Sequence, residues 1–216
     1  MKQTNILAFG FLAIAFSSCQ VKLAEVTPAS EITVTAASIL GVWSTDCIED
    51  SSDSYIKSFE VKDDVLTMAT LHYGDTRICD QTKLTHTIMS SGSLTISGDN
   101  TAIANAKNYE LKLSAVVVVP NDPAVTTMLN NGNVCGSSSW VTNQAGFLFS
   151  CNAGQGYNYS QVSFNTVHYG VFKIEATTTP NYLQFEAACA VAGNQDFCPS
   201  ASDRPATLSG TVYYKR

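Results

Sequence analysis

The sequence predicts an all-β domain: an antiparallel meander of about eight strands that closes into a barrel, with one short helix. Three observations support this prediction. Short stretches rich in Thr, Val and Tyr alternate between apolar and polar residues, and turn residues separate them at short intervals. Only 14% of the residues are charged, so Ser, Thr, Asn and Gly supply the surface polarity. A chain of 216 residues is long enough for one such domain with a real core.

The N-terminus has the layout of a secretory signal peptide, predicted to span residues 1–18. A short stretch with one positive charge precedes Ile6–Phe16, in which every residue is apolar or Gly, and two small serines follow. This run is too short to cross about 30 Å of hydrocarbon as a helix. An ordinary cleaved signal peptide with a chance cysteine beside the cleavage site is the alternative interpretation.

The Phe16-Ser17-Ser18-Cys19 ending resembles the lipobox of bacterial lipoproteins. The resemblance implies that Cys19 is diacylated, for example with palmitate, and becomes the mature N-terminus, anchored in a membrane of the cell envelope. Several acyl chains on one residue make a stable anchor. Because Gln20 and not Asp follows the cysteine, the resemblance implies the outer membrane, on its periplasmic face or at the surface.

Residues 19–38 are expected to form a lipidated flexible tether, since they are rich in Ala, Thr, Val and Ser and lack aromatic residues. A first strand within the Glu31–Ala36 stretch is the alternative, because that stretch alternates. The formal charge is −6 and no basic run occurs, which argues against nucleic acid as a partner. The acyl chains therefore have to provide the membrane contact, and we expect a monomer.

The domain, residues 39–216, opens with the stretch Ile39–Cys47. Tyr55–Lys62 and Val65–Tyr73 follow as alternating strands, joined by a tight turn at Asp63-Asp64. On the second of these strands, the apolar face is predicted to hold Val65, Ala69, Leu71 and Tyr73. Two further strands, Thr85–Met89 and Ser93–Ser97, are predicted around a Ser90-Ser91-Gly92 turn, and Tyr109–Val119 is the strongest β-branched run.

Asp122 and Pro123 predict a helix start, with Asp122 as N-cap, and the helix is expected to cover Pro123–Asn130. A loop rich in Gly, Ser and Asn follows. The closing strands are predicted at Val167–Ala176, Tyr182–Ala188 and Thr207–Arg216.

Seven cysteines leave an odd one in an exported protein, and lipidation of Cys19 leaves an even set of six. Six cysteines allow fifteen pairings, but the meander places Cys47 and Cys79 at the same end of the sheet. Cys135 and Cys151 bracket the irregular segment, and Cys189 and Cys198 bracket the loop before the last strand. Neither a CxxC motif nor a Cys/His cluster with zinc-finger spacing occurs, so no metal site and no cofactor are predicted.

Gly41-Val42-Trp43 near the start of an eight-strand meander resembles the Gly-x-Trp opening of the lipocalins and the wider calycin group. The resemblance implies that Trp43 plugs one end of the barrel beneath a ligand cavity. It also implies that a basic residue of the last strand, Arg216 or its neighbour Lys215, packs over the Trp ring. The chain is also similar to uncharacterised bacterial lipoproteins in which such an opening precedes a cysteine, here Cys47.

An eight-stranded barrel has room either for its own side chains or for one small ligand. The candidate ligand-binding residues are Tyr55, Phe59, Leu71 and Tyr73, with Val65 as a further wall residue. The leading hypothesis is a carrier of a small apolar ligand in the cell envelope. The alternative is a filled barrel that acts as an interaction or structural module, with its cysteine-bounded loops contacting a partner protein.

No catalytic residues are predicted, and the chain is not expected to be an enzyme. Its three histidines, His72, His86 and His168, have no recognisable motif around them, and no Gly-x-Ser-x-Gly elbow occurs. His72 and His86 fall in neighbouring predicted strands and each shares a face with apolar residues.

Overall fold

A computed structural model describes residues 39–51, 53–74, 77–148, 167–175, 182–186, 198 and 200–216, all of which lie in one compact unit, Ile32–Arg216. The predicted signal peptide, Cys19 and the tether lie outside the described residues. Ten strands are described: β1 Gly41–Ser44, β2 Ile48–Glu49, β3 Ser54–Lys62, β4 Val65–Tyr73, β5 Leu84–Asp99, β6 Lys107–Pro120, β7 Gly146–Phe147, β8 Val167–Glu175, β9 Tyr182–Glu186 and β10 Leu208–Lys215. The helix α1 covers Pro123–Asn131.

The strand pairings form a closed ring. β1 pairs with β10 on one side and with β3 on the other, and the order β1-β10-β9-β8-β6-β5-β4-β3 joins these two pairings. Every pairing in the ring is antiparallel. The all-β prediction of about eight antiparallel strands is therefore confirmed, because eight strands make the ring and β2 and β7 are short additions to it.

Local chemistry places several elements where the sequence predicts them. Asp63 and Asp64 both have positive φ, 49° and 61°, which matches the right-handed twist of the β3–β4 hairpin that they join. The Asp122 side chain accepts a hydrogen bond from the backbone N–H of Ala124 at 2.6 Å and caps α1 as predicted.

The predicted hairpin around Ser90-Ser91-Gly92 is wrong, because β5 runs through this stretch without a break. Ser91 pairs with Ala115 and Gly92 with Leu113, so the extra residue of the bulge at this point is Ser114 of β6. A Cβ atom on Gly92 would lie 2.4 Å from the carbonyl oxygen of Lys112, so only glycine lets the two backbones approach this closely. Serine and glycine are common in turns, but here they continue a strand that pairs with β6 on both sides of the stretch, which explains the error.

The predicted inward face of β4 is also wrong. Val65 is 45% exposed, whereas Leu66 is 1% exposed. Leu66 pairs with Val61 and Met68 pairs with Phe59, so the even-numbered residues of β4 share the face of the β3 core residues. Apolar residues occur on both faces of β4, and the partner strand decides which face turns inward.

The inward-facing core divides into two clusters. The Trp43 cluster combines residues of the opening segment and of seven ring strands: Ile39, Trp43, Phe59, Val61, Leu66, Leu94, Tyr109, Leu111, Leu113, Phe172 and Leu183. The Trp140 cluster packs α1 and the segment after it onto β5 and β6: Ile88, Val116, Val118, Leu129, Val134, Cys135, Trp140 and Leu148. A Cβ atom on Gly146 would lie 2.2 Å from the Trp140 ring, so glycine at this position leaves room for the indole.

Candidate functional site

The Gly41-Val42-Trp43 motif lies at the centre of the Trp43 cluster. Gly41 has φ +111°, a conformation that L side chains rarely adopt, and this explains glycine at this position. Trp43 is 1% exposed, and its Nε1 donates a hydrogen bond to the carbonyl oxygen of Ile39 at 2.9 Å. The motif therefore fixes a buried indole at the point where β1 connects β10 and β3.

Lys215, and not Arg216, is the basic residue over Trp43. Its Nζ lies 5.6 Å from the centroid of the indole ring, and the two residues are paired across β1 and β10. Arg216 instead donates from Nε to Ser44 Oγ at 2.7 Å and lies 3.4 Å from Asp46. Side-chain alternation explains this difference, because only every second residue of β10 points towards Trp43.

The structure does not bring the four predicted ligand-binding residues together. Tyr55 and Phe59 are on the inward face of β3, where Tyr55 pairs with His72 and Phe59 with Met68. Leu71 and Tyr73 alternate with His72 and therefore lie on the opposite face of β4. Tyr73 is buried there, and its hydroxyl oxygen accepts a hydrogen bond from Gln81 Nε2 at 2.6 Å.

The barrel interior around Trp43 is filled by side chains. Every member of the Trp43 cluster is 9% exposed or less. The Phe59 ring packs against two aromatic rings, whose centroids lie 6.1 Å (Trp43) and 5.3 Å (Tyr213) from its own. A pocket of about 180 Å³ lies beside the β3–β4 turn, lined by residues that include Ile39 and Asp64. Its volume is below the roughly 300 Å³ at which ligand pockets usually begin.

The other end of the same inward face is polar. Going from the Trp43 cluster towards the start of β3, the inward residues are Lys57 and Tyr55, paired with Thr70 and His72 of β4. His72 in turn pairs with His86 of β5. We call Asp53, Tyr55, Lys57, His72 and His86 the histidine cluster; none of the five is fully buried.

The two imidazole rings of the histidine cluster are stacked. Their centroids lie 4.4 Å apart, and the angle between the ring planes is 3°. Asp53 Oδ2 lies 2.9 Å from His72 Nδ1, and the side chains of Asp53 and His72 are 30% and 20% exposed. The Tyr55 ring lies 5.7 Å from the His72 ring, and Lys57 Nζ lies 5.7 Å from the Tyr55 ring.

The environment shifts two pKa values within the histidine cluster. Burial, reinforced by the neighbouring His72, lowers the pKa of His86 to about 4, although Asp53 acts in the opposite direction. Burial, together with the charges of Asp50 and Asp53, raises the pKa of Tyr55. At neutral pH the cluster therefore contains a neutral His86 and a protonated Tyr55.

Sequence reasoning missed the histidine cluster as a site. It placed His72 and His86 in neighbouring strands, but the wrong inward face for β4 hid the fact that both point inward beside Tyr55. The available signal was the β4–β5 register, in which Met68 opposite Ser90 places His72 opposite His86. Asp53 lies just before β3, and no sequence motif includes it.

The Cys47–Cys79 pair predicted from the topology is present as a disulfide, with a Cα–Cα distance of 5.7 Å. Cys135 and Cys198 are also disulfide-bonded. Cys151 and Cys189 lie outside the described residues, so the Cys135–Cys151 and Cys189–Cys198 pairs remain predictions. The confirmed disulfide joins the segment between β1 and β2 to the segment after β4, close to the histidine cluster in sequence.

In the described ranges, no three or more His, Cys, Asp and Glu side chains are grouped so that they can hold a metal ion. The helix that the structure describes, α1, is too short to span a membrane, and no other described helix is long and apolar enough. Comparison with known proteins adds no assignment, because neither a protein-family model nor a curated protein matches this chain.

Proposed function

We propose that this protein is a lipid-anchored, non-enzymatic module of a bacterial cell envelope, whose barrel is filled by its own side chains and serves as an interaction or structural scaffold. The supporting observation is the packing of the Trp43 cluster. Its eleven members come from the opening segment and from strands all around the ring, and each is 9% exposed or less. A carrier of an apolar ligand needs empty space where these side chains lie.

Three aromatic residues account for much of this filling. Trp43, Tyr109 and Phe172 project into the interior from β1, β6 and β8. The Tyr109 ring also occupies the space beside Gly170, where a Cβ atom would lie 2.3 Å from it. Glycine at position 170 thus lets an aromatic ring fill the interior, as expected for a packed core.

The apolar carrier remains a competing prediction, and a titration distinguishes the two. The purified protein is titrated with the apolar fluorescent probe 8-anilinonaphthalene-1-sulfonate and, separately, with a long-chain fatty acid, while Trp fluorescence is recorded. A filled barrel predicts no saturable binding. Leu111→Ala, titrated with benzene, is the matched control, because removing a side chain that is 0% exposed opens an apolar cavity that can take up this small molecule. One-to-one binding by the unmodified protein, with quenching of Trp43, would contradict the proposal.

The membrane anchor is tested separately, since it depends on the N-terminal sequence alone. Cys19→Ser removes the residue that the lipobox resemblance implies is acylated. We expect this variant to appear in the soluble fraction after cell fractionation, whereas the unmodified protein stays with the membranes. A Cys47→Ser, Cys79→Ser variant controls for the loss of a cysteine as such. A Cys19→Ser variant that remains membrane-bound would rule out the lipid anchor.

A further inference from the structure

The pocket beside the β3–β4 turn is an apolar gap at the surface of the Trp43 cluster. Its volume is about 180 Å³, and five of its seven lining residues are apolar: Ile39, Leu40, Val61, Leu94 and Ile96. Ile39, Val61 and Leu94 belong to the Trp43 cluster, and Leu40 is 42% exposed. A water molecule needs roughly 10–15 Å³ of such space, so the pocket has ample room for an aliphatic side chain.

The strand β5 has an open backbone edge along the same pocket. Its pairing with β4 ends at Ser93, but β5 continues to Asp99. The N–H of Leu94 still donates to the carbonyl oxygen of Asp64 at 2.8 Å. In an antiparallel ladder, the N–H and C=O of every second residue point to the same side. Ile96 therefore presents both groups at this edge, where none of the described strands lies beside it.

The stretch of chain before Ile39 is the best-placed occupant, because Ile39 itself lines the pocket. Residues 32–38 lie outside the described residues, and their sequence is Ile-Thr-Val-Thr-Ala-Ala-Ser. The first four residues are β-branched and alternate between apolar and polar, so a strand would place Ile32 and Val34 on one face. The stretch carries no charge, which suits an apolar pocket beside the acidic Asp63-Asp64 turn.

We propose that residues 32–36 bind as an additional strand along the open edge of β5, with the side chains of Ile32 and Val34 covering the pocket. The backbone of this strand pairs with the N–H and C=O of Ile96, as in other cases of strand addition to a sheet edge. A strand from another protein competes poorly, because residues 32–36 are tethered close to Ile39 and have an effective concentration of millimolar order. The pocket is below the roughly 300 Å³ of usual ligand sites, which argues against a lipid-like occupant.

The added strand shortens the spacer between barrel and membrane, a consequence that rests on the proposed lipid anchor at Cys19. Residues 19–38, fully extended, reach at most about 70 Å, whereas residues 19–31 reach at most about 45 Å. The shorter spacer keeps the barrel within the smaller distance of the membrane. The partner of such a scaffold is then a molecule at or close to the membrane surface.

The test uses residues 19–216 produced with Cys19→Ser, so that the result does not depend on the lipid anchor. In methyl-labelled protein, we expect nuclear Overhauser contacts between the methyl groups of Val34 and those of Leu94 or Ile96. The amide of Ile96 should exchange slowly with solvent deuterium. Val34→Asp, which places a charge against the apolar pocket, should accelerate that exchange at least about tenfold. Thr33→Asp is the matched control, because it lies on the opposite face of the strand, and should leave the exchange unchanged.

Three results would each overturn the proposal. The first is the absence of contacts between Val34 and β5, and the second is fast exchange of the Ile96 amide in the chain without further substitutions. The third is slow exchange that Val34→Asp leaves unchanged, because another occupant then protects the edge. Release of Cys19→Ser from membranes tests the anchor separately, so failure of the strand addition and failure of the proposed anchoring are distinguished.

Discussion

The inward face of β3, β4 and β5 contains two regions of opposite character. Around Phe59, Val61 and Leu66 it is apolar, and each of these side chains is less than 5% exposed. Around Tyr55 and His72 it is polar, partly exposed and charged. The same three strands supply both regions, so the change occurs along the strands and not between elements. Continuous backbone pairing thus allows one sheet face to serve as core at one end and to carry a half-exposed polar cluster at the other.

The polar region is possible because its side chains stabilise one another. Asp53 contacts His72, Thr85 contacts both His72 and His86, and Lys57 lies near the Tyr55 ring. Each contact reduces the free energy that a half-buried polar group otherwise costs. The Trp43 cluster has few side-chain polar groups: the Trp43 indole N–H, which is bonded to the carbonyl oxygen of Ile39, and the Tyr109 hydroxyl. Stability is therefore expected to depend more on the Trp43 cluster than on the histidine cluster.

The sharpest test of the difference between the two clusters compares the stability of Trp43→Ala with that of His86→Gln. We expect Trp43→Ala to lower the free energy of unfolding by about 3–5 kcal/mol, because it removes a large side chain that is 1% exposed. His86→Gln should lower it by about 1 kcal/mol or less at pH 7. Urea unfolding followed by circular dichroism measures both variants. Similar losses in the two variants would mean that the two regions do not differ in their contribution to stability.

Removing the Cys47–Cys79 disulfide tests whether the polar end needs a covalent constraint. The bond closes a loop with a sequence separation of 32 residues. In the chain-entropy model, its loss in a Cys47→Ser, Cys79→Ser variant should cost about 3–4 kcal/mol of unfolding free energy. Measurement under oxidising conditions keeps the other disulfides intact, and unfolding in urea gives the difference. A loss below about 1 kcal/mol would mean that strand pairing alone fixes this end.

The pH dependence of stability should come partly from His86. Its folded-state pKa of about 4 is below the ordinary 6.5, so the unfolded state binds more protons between these values. Stability therefore falls as the pH drops below about 6.5, and the fall continues to about pH 4. After allowance for solvent screening, this contribution is about 1–2 kcal/mol. To isolate the contribution of His86, the free energies of unfolding of the native protein and of His86→Gln are compared from pH 7.5 to pH 4. Parallel curves would contradict the lowered pKa.

The smallest expected effect is the difference in stability between variants of Lys215, the last residue of β10, and of Arg216, which follows it. Lys215→Met removes the ammonium group near the Trp43 ring and should cost about 0.5–1 kcal/mol. Arg216→Met removes an exposed ion pair with Asp46 and should cost less than about 0.5 kcal/mol. Thermal unfolding of both variants at the same protein concentration shows which of the two loses more stability. The reverse order would assign the barrel-end role to Arg216.

Much of the fold was predictable because local chemistry encodes it. Alternating Thr, Val and Tyr residues indicated strands, the Asp63-Asp64 pair indicated a tight turn, and Asp122-Pro123 indicated a helix start, all of which the structure contains. The errors concern features that depend on a distant partner. The Ser90–Gly92 stretch continues β5 because it pairs with β6, and Leu66 turns inward because Val61 lies opposite it.

The histidine cluster could not be predicted from the sequence for the same reason. Nothing within a few residues of His72 or His86 marks either as special, and their juxtaposition follows from the β4–β5 register, which eight residue pairs share. Asp53 reaches His72 only because β3 pairs with β4.

The sequence by itself determined that this chain is all-β, that the Asp63-Asp64 turn and the cap of α1 lie where they do, and that Cys47 and Cys79 lie at the same end of the sheet. These features depend on backbone preferences within two to four residues, or on the simple alternation of strand direction in a meander. Only the tertiary structure decided which side of β4 faces inward and that Lys215 lies over Trp43. Register sets both, and a shift of one residue would move every side chain of a strand to the other face.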